Sequence, residues 1–102
     1  MNTKAKGSRS ERRAVLRLEA EGYVCTKAGG SLGLFDVVAI GPTDVRLLQV
    51  KAGTARLSRS ERAAIVALTV PANVRKEYWR FPNRCREPLI EALGTSPAST
   101  RC

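Results

Sequence analysis

The 102-residue sequence contains no histidine. That absence excludes Ser-His-Asp and Cys-His nucleophilic catalysis and removes the commonest transition-metal ligand. Any chemistry must then rest on carboxylates, lysine, hydroxyls or thiols. Cysteine is scarce and odd in number, with Cys25, Cys85 and Cys102 far apart. They make neither a disulfide framework nor a CxxC zinc pair, and a reducing compartment fits them best. Cys25 lies in an apolar stretch and reads as a small core residue, Cys102 as part of a frayed end. Long apolar runs are also missing: no stretch reaches the ~18 residues of a membrane span, and the N-terminus lacks the apolar centre of a signal peptide. These features describe a soluble, intracellular protein of the cytoplasm with no membrane partner. Acidic residues are half as numerous as basic ones, 9 against 18.

The excess is a net charge of +9, carried by 13 arginines and 5 lysines. A guanidinium grips phosphate as a planar fork. The basic residues are scattered through the chain and do not line one face of a long apolar helix, which favours nucleic acid over a membrane surface. With 43% hydrophobic and 26% charged residues, the chain reads as one small globular domain.

The pattern predicts a flexible basic arm over 1–7, a single domain over 8–93 and a disordered tail over 94–102. A helix is predicted over 8–21, opened by a Ser8/Glu11 capping box, carrying Ala14, Val15 and Leu18 on one stripe and ended by Gly22. A strand follows over 23–27, then a glycine-rich loop at 29–33. The nearly continuous apolar run 35–40 suggests a strand buried on both faces. Gly41–Asp44 is a turn, and the strand 45–51 beyond it should pair back as an antiparallel hairpin. After a loop over 52–57, Ser58 and Glu61 repeat the capping box, with Ala64, Ile65 and Leu68 as the stripe and Pro71 as the stop. The string SRSER at 8–12 and 58–62 reads as shared capping chemistry. Residues 75–81 carry Glu77, Trp79 and Phe81 at alternate positions of a strand, with Tyr78 and Trp79 in the core or on a dimer surface, and 88–93 is a short closing helix. The order is an α/β arrangement with one central mixed sheet.

Chemistry concentrates at Asp36, Gln49 and Lys51. Gln49 and Lys51, two apart on a strand, share a face, and Asp36 can lie beside them in the hairpin. A carboxylate on so apolar a strand is costly unless paired, either by a divalent metal or by the Lys51 ammonium. Glu11 leans toward the buried stripe of its helix and can join them.

The segments KGSRSER (6–12), EGY (21–23), GGS (29–31), FDVVAI (35–40) and LLQVK (47–51) resemble the PD-(D/E)xK nuclease superfamily. Within it, they are most similar to the archaeal-type and phage Holliday junction resolvases of the Hjc type, over residues 6–51. The resemblance implies a restriction-endonuclease-like core, a central mixed β-sheet flanked by helices. It implies Mg²⁺, or Mn²⁺ as substitute, held by Glu11, Asp36, Gln49 and the Val50 carbonyl, with Lys51 assisting the attacking water and Ser31 near the scissile phosphate. Phe35 stands where many relatives have proline. Gln49 stands where they have glutamate, so the cluster has two carboxylates in place of three. Glu61 looks locally identical to Glu11, but family position favours Glu11.

Arg9, Arg12, Arg13, Arg56 and Arg59 flank Glu11 or follow Lys51 and are the candidate phosphate contacts, with Lys4 and Lys6 on the arm wrapping a duplex. The expected function is metal-dependent resolution of four-way DNA junctions without a small-molecule cofactor. A homodimer is expected because symmetric cleavage needs two sites about a two-fold axis. The alternatives are a nicking or restriction-type nuclease of the same fold, or a non-catalytic DNA-binding module with a decayed site.

Overall fold

The structure, a computed structural model, describes residues 3–27, 34–83 and 87–94, with the side chains of residues 3–8 excepted. Helix α1 spans Thr3–Ala20. It begins inside the segment expected as an arm, because Lys4, Ala5 and Lys6 are good helix formers and a single glycine at position 7 costs only about 1 kcal/mol relative to alanine. Ser8 and Glu11 therefore lie within the helix, and the expected first capping box is not a helix start. The C-terminus is as expected: Gly22 takes φ 99°, and the Tyr23 N–H donates to the Leu18 carbonyl at 3.0 Å.

Five strands follow, β1 (Val24–Lys27), β2 (Val37–Ile40), β3 (Val45–Ala52), β4 (Val74–Phe81) and β5 (Leu89–Ala92), with α2 (Arg59–Ala67) between β3 and β4. They form one mixed sheet in the order β1-β2-β3-β4-β5. The β2–β3 hairpin is antiparallel as expected, with Val37 opposite Leu48 and Ile40 opposite Val45. Strands β3 and β4 are parallel, with Lys51 opposite Arg80. A parallel pair needs a crossover, and α2 supplies it.

The helices lie on opposite faces. Ala14 and Leu18 of α1 pack with Val37, Ala39, Leu48, Val50, Trp79 and Phe81. Ile65 of α2 packs with Phe35, Leu57, Tyr78 and Leu93. Trp79 is fully buried, which places it in the core. Cys25 is half-buried at the margin of the α1 cluster.

Three further expectations are corrected. Strand β2 is buried on one face only: Val37 and Ala39 are inaccessible while Ile40 is 52% exposed, since α1 covers one side and α2 contributes a single buried side chain, Ile65, to the cluster on the other. In α2 only Ile65 is buried. Ala64 and Leu68 face outward, and Leu68 is an extended C-cap. Residues 89–92 form β5, not a closing helix, pairing antiparallel with β4. So short a helix is unstable alone, whereas the open edge of β4 offers a ready ladder. Apart from Gly94, the predicted tail lies outside the described residues. Among those residues no helix is long and apolar enough to cross a membrane.

Candidate active site

Alternation along β3 sends Arg46, Leu48 and Val50 toward α1 and Gln49 and Lys51 toward α2. Asp36, one residue ahead of β2, is tied to β3 at two points. Its N–H donates to the Leu48 carbonyl at 2.7 Å, and its Oδ2 accepts the Val50 N–H at 2.8 Å. Beyond Lys51, Gly53 takes a left-handed φ of 61° and donates its N–H to the Phe81 carbonyl at 2.9 Å. The chain turns there toward α2. The second capping box forms as expected: Glu61 N–H donates to Ser58 Oγ at 3.0 Å, and Ser58 N–H to Glu61 Oε1 at 2.9 Å. That box brings Glu61 Oε1 to 3.7 Å from Lys51 Nζ.

Glu11 approaches from the α1 side, with Lys27 Nζ at 3.9 Å. Burial raises its pKa above the ordinary glutamate value and the Asp36 charge adds to the rise, against a smaller opposing pull from Lys27. The pKa of Asp36 is likewise raised by burial, only partly offset by the Val50 N–H and Lys51, while Glu61 adds repulsion. Glu61 is itself held below its ordinary value, first by the Ser58 N–H. Glu11 and Asp36 are thus two partly buried carboxylates, with the Asp36 charge felt at Glu11, and a bound cation would relieve both.

Gln49 is buried at 6% exposure, and its Nε2 donates to the Leu34 carbonyl at 2.8 Å. The side chain fastens the segment entering Asp36, leaving Oε1 as its one ligating atom. Among the described residues no three His, Cys, Asp or Glu side chains form a metal cage. Magnesium needs less: it keeps several waters and takes one or two carboxylates. Asp36 and Glu11 fit that requirement.

Ser31 lies outside the described residues. Lys4 and Lys6 fall on α1, their side chains likewise outside them. Arg9 and Arg12 are exposed on α1, and Arg13 stacks its guanidinium 4.7 Å from the centre of the Phe81 ring. Arg56 and Arg59 are exposed at the entry to α2. The sequence weighs Glu61 against Glu11 and favours Glu11, so it misses the Glu61–Lys51 contact, and it misses Arg80. Alternation in RKEYWRF was the available signal for Arg80, since it separates Tyr78 and Arg80 from Trp79 and Phe81.

No family model and no curated protein sequence matches the chain. Among solved structures it is similar to Archaeoglobus fulgidus Hjc, a Holliday junction resolvase from an archaeal hyperthermophile. The TM-score is 0.66 at 20% identity, over 86% of this chain and 71% of that one. The mixed sheet between helices is an α/β fold. More narrowly it is Hjc-like, as the sequence motifs implied.

Proposed function

We propose that the chain is a Mg²⁺-dependent DNA endonuclease that cuts four-way junctions as a homodimer, in the cytoplasm. The observation that carries this reading is Asp36, locked to β3 at Leu48 and Val50 with Glu11 on its α1 side and Lys51 on the next strand, in an Hjc-like fold. Asp36 and Glu11 would hold the ion, with Gln49 Oε1 and the Val50 carbonyl as neutral donors. When bound, the ion lowers the pKa of a coordinated water and stabilises charge on phosphate. Lys51 sets its ammonium where charge develops on the phosphate oxygens. Arg9 and Arg12 on one side and Arg56 and Arg59 on the other hold the neighbouring phosphates. Two copies supply the two sites of a symmetric cut.

A second reading, a non-catalytic DNA-binding module, is favoured by Gln49, whose amide serves the Leu34 carbonyl. Incubation with a four-way junction, a duplex and a single strand, each with Mg²⁺ or EDTA, separates the two. Nuclease action predicts Mg²⁺-dependent symmetric nicks in the junction. Binding without cleavage in any metal supports the module. In both cases binding should fall steeply between 50 and 200 mM salt, by roughly 10³-fold or more for several phosphate contacts.

A further inference from the structure

We infer that Arg80 and Arg56 form a phosphate-binding subsite beside Lys51, which seats a nucleic-acid backbone phosphate next to the one at Asp36. The subsite rests on the DNA-binding part of the proposed function and extends it to Arg80 on β4, acting together with Arg56.

Arg80 is the register partner of Lys51 on the parallel neighbour β4, one strand spacing away, about 4.8 Å. Parallel register partners share a face, so Arg80 stands on the same side of the sheet as Lys51. Its side chain is half-buried, yet it makes no hydrogen bond or ion pair among the described residues. A guanidinium held partly out of water without a partner is a costly arrangement that an anion relieves. Arg80 and Arg56 line one open cavity of about 370 Å³ with Arg62, Tyr78, Leu89 and Glu91. Among the described residues the single carboxylate there is already matched: Glu91 takes Arg62 at 2.6 and 3.3 Å, and Arg62 also lies 5.7 Å from the centre of the Tyr78 ring. Among the described residues, two guanidinium charges are left without a carboxylate partner in a concavity lined by Arg80, the register partner of the proposed catalytic lysine. Arg56, equally without a partner among the described residues, lies on the loop between β3 and α2 and lines the same cavity.

The test measures binding to a four-way junction in EDTA, by fluorescence anisotropy over a salt series, for wild type, Arg80→Ala, Arg80→Lys, Arg56→Ala and the control Arg75→Ala. Arg75 lies at the opposite end of β4 and is paired with Asp44 at 3.2 Å. Arg80→Ala and Arg56→Ala should each weaken binding about tenfold at low salt and reduce the salt slope by about one. Arg80→Lys should keep the slope, and Arg75→Ala should leave it unchanged. Methylphosphonate replacement of single phosphates should reveal one backbone position at which Arg80→Ala costs nothing further. A wild type that binds with a slope unaltered by Arg80→Ala, or coupling spread evenly over all phosphates, overturns the subsite alone. A wild type that does not bind the junction overturns the proposed function and the subsite together. Thermal melts accompany each variant, and a slope change that tracks loss of fold also counts against the subsite.

Discussion

Glu61 Oε1 accepts the Ser58 N–H at 2.9 Å and stands 3.7 Å from Lys51 Nζ. One carboxylate oxygen thus closes the start of α2 and faces the proposed catalytic lysine, so the cap fixes the helix relative to the site. The two roles separate chemically. Glutamine keeps the acceptor of a capping box but not the charge. Glu61→Gln should therefore change stability by less than about 0.5 kcal/mol, whereas Ser58→Ala should lose about 1 kcal/mol. Removing the negative charge also frees Lys51 for phosphate, and junction binding in EDTA should tighten about threefold at low salt. Urea denaturation and anisotropy titration check the pair. Weaker DNA binding by Glu61→Gln would show that Glu61 supports the ammonium and does not compete for it.

Asp36→Asn should abolish cleavage while leaving junction binding within about tenfold, and Lys51→Ala should do the same, since each removes a group used at the reacting phosphate. Asp36→Asn should also not destabilise the fold at pH 7. The folded-state pKa of Asp36 is raised by burial, so the folded chain binds its proton more tightly than the unfolded chain. The contribution of this group to stability is then most favourable below the unfolded value. It declines as pH rises through the folded one. Asparagine is permanently neutral, and its Oδ1 can still accept the Val50 N–H. Melting curves from pH 3 to 8 should show a weaker decline on this limb for Asp36→Asn than for wild type; an equal or steeper decline would contradict the sign.

The sequence announced the hairpin, the second capping box and the Asp36–Lys51 neighbourhood because each depends on short-range rules: alternation on a strand, S-x-x-E spacing and a tight turn. Its errors fell where tertiary contact overrode local preference. Residues 88–93 begin with proline and carry helix-compatible residues, but the free edge of β4 claimed them as a strand. Ser8 and Glu11 satisfy the same spacing as Ser58 and Glu61, yet the preceding residues continue the helix and only the second box caps. The place of Gln49 in LLQVK suggests a ligand but gives no sign of the hydrogen bond that its amide nitrogen makes. Its partner, the Leu34 carbonyl, belongs to a loop whose path no local pattern specifies. Arg80 acquires meaning only from the parallel register with β3.

Gln49→Glu is expected to act in opposite directions on stability and on metal demand. The amide Nε2 donates to the Leu34 carbonyl at 2.8 Å in a site 6% exposed. A carboxylate cannot make that bond and brings a third negative charge beside Asp36. Without metal the variant should be less stable by about 1–3 kcal/mol, the cost of an unsatisfied buried group. With a divalent ion the added charge strengthens coordination, so Mg²⁺ should recover much of the loss and half-maximal cleavage should need less of it. Melts with and without Mg²⁺, with a Mg²⁺ titration of cleavage, test both parts. An unchanged midpoint would leave Gln49 as a structural residue only.

Beneath α1, Arg46 and Glu77 make a buried pair that no sequence pattern announced. Glu77 Oε1 accepts Arg46 Nε at 3.0 Å and Trp79 Nε1 at 2.8 Å, with Arg46 Nη2 at 2.8 Å. The Arg46 and Glu77 side chains are 11% and 6% exposed. Among the described residues the other carboxylate near Arg46 is Glu21 at 3.3 Å, itself 46% exposed and so a weak counter-charge. Glu77→Gln keeps an acceptor for the Trp79 N–H but leaves the guanidinium buried without its main partner. Breaking such a pair from one side costs about 3–5 kcal/mol, mostly the uncompensated charge. Removing that charge as well should restore stability. Arg46→Met combined with Glu77→Gln is therefore expected to recover at least half of the loss seen in Glu77→Gln alone, giving a favourable interaction term in a double-mutant cycle. Urea midpoints of wild type, both single variants and the double variant measure that term. A double variant as unstable as the sum of the singles would show that Arg46 and Glu77 act on stability independently, through packing against Tyr23 and Trp79 and not through their shared charge.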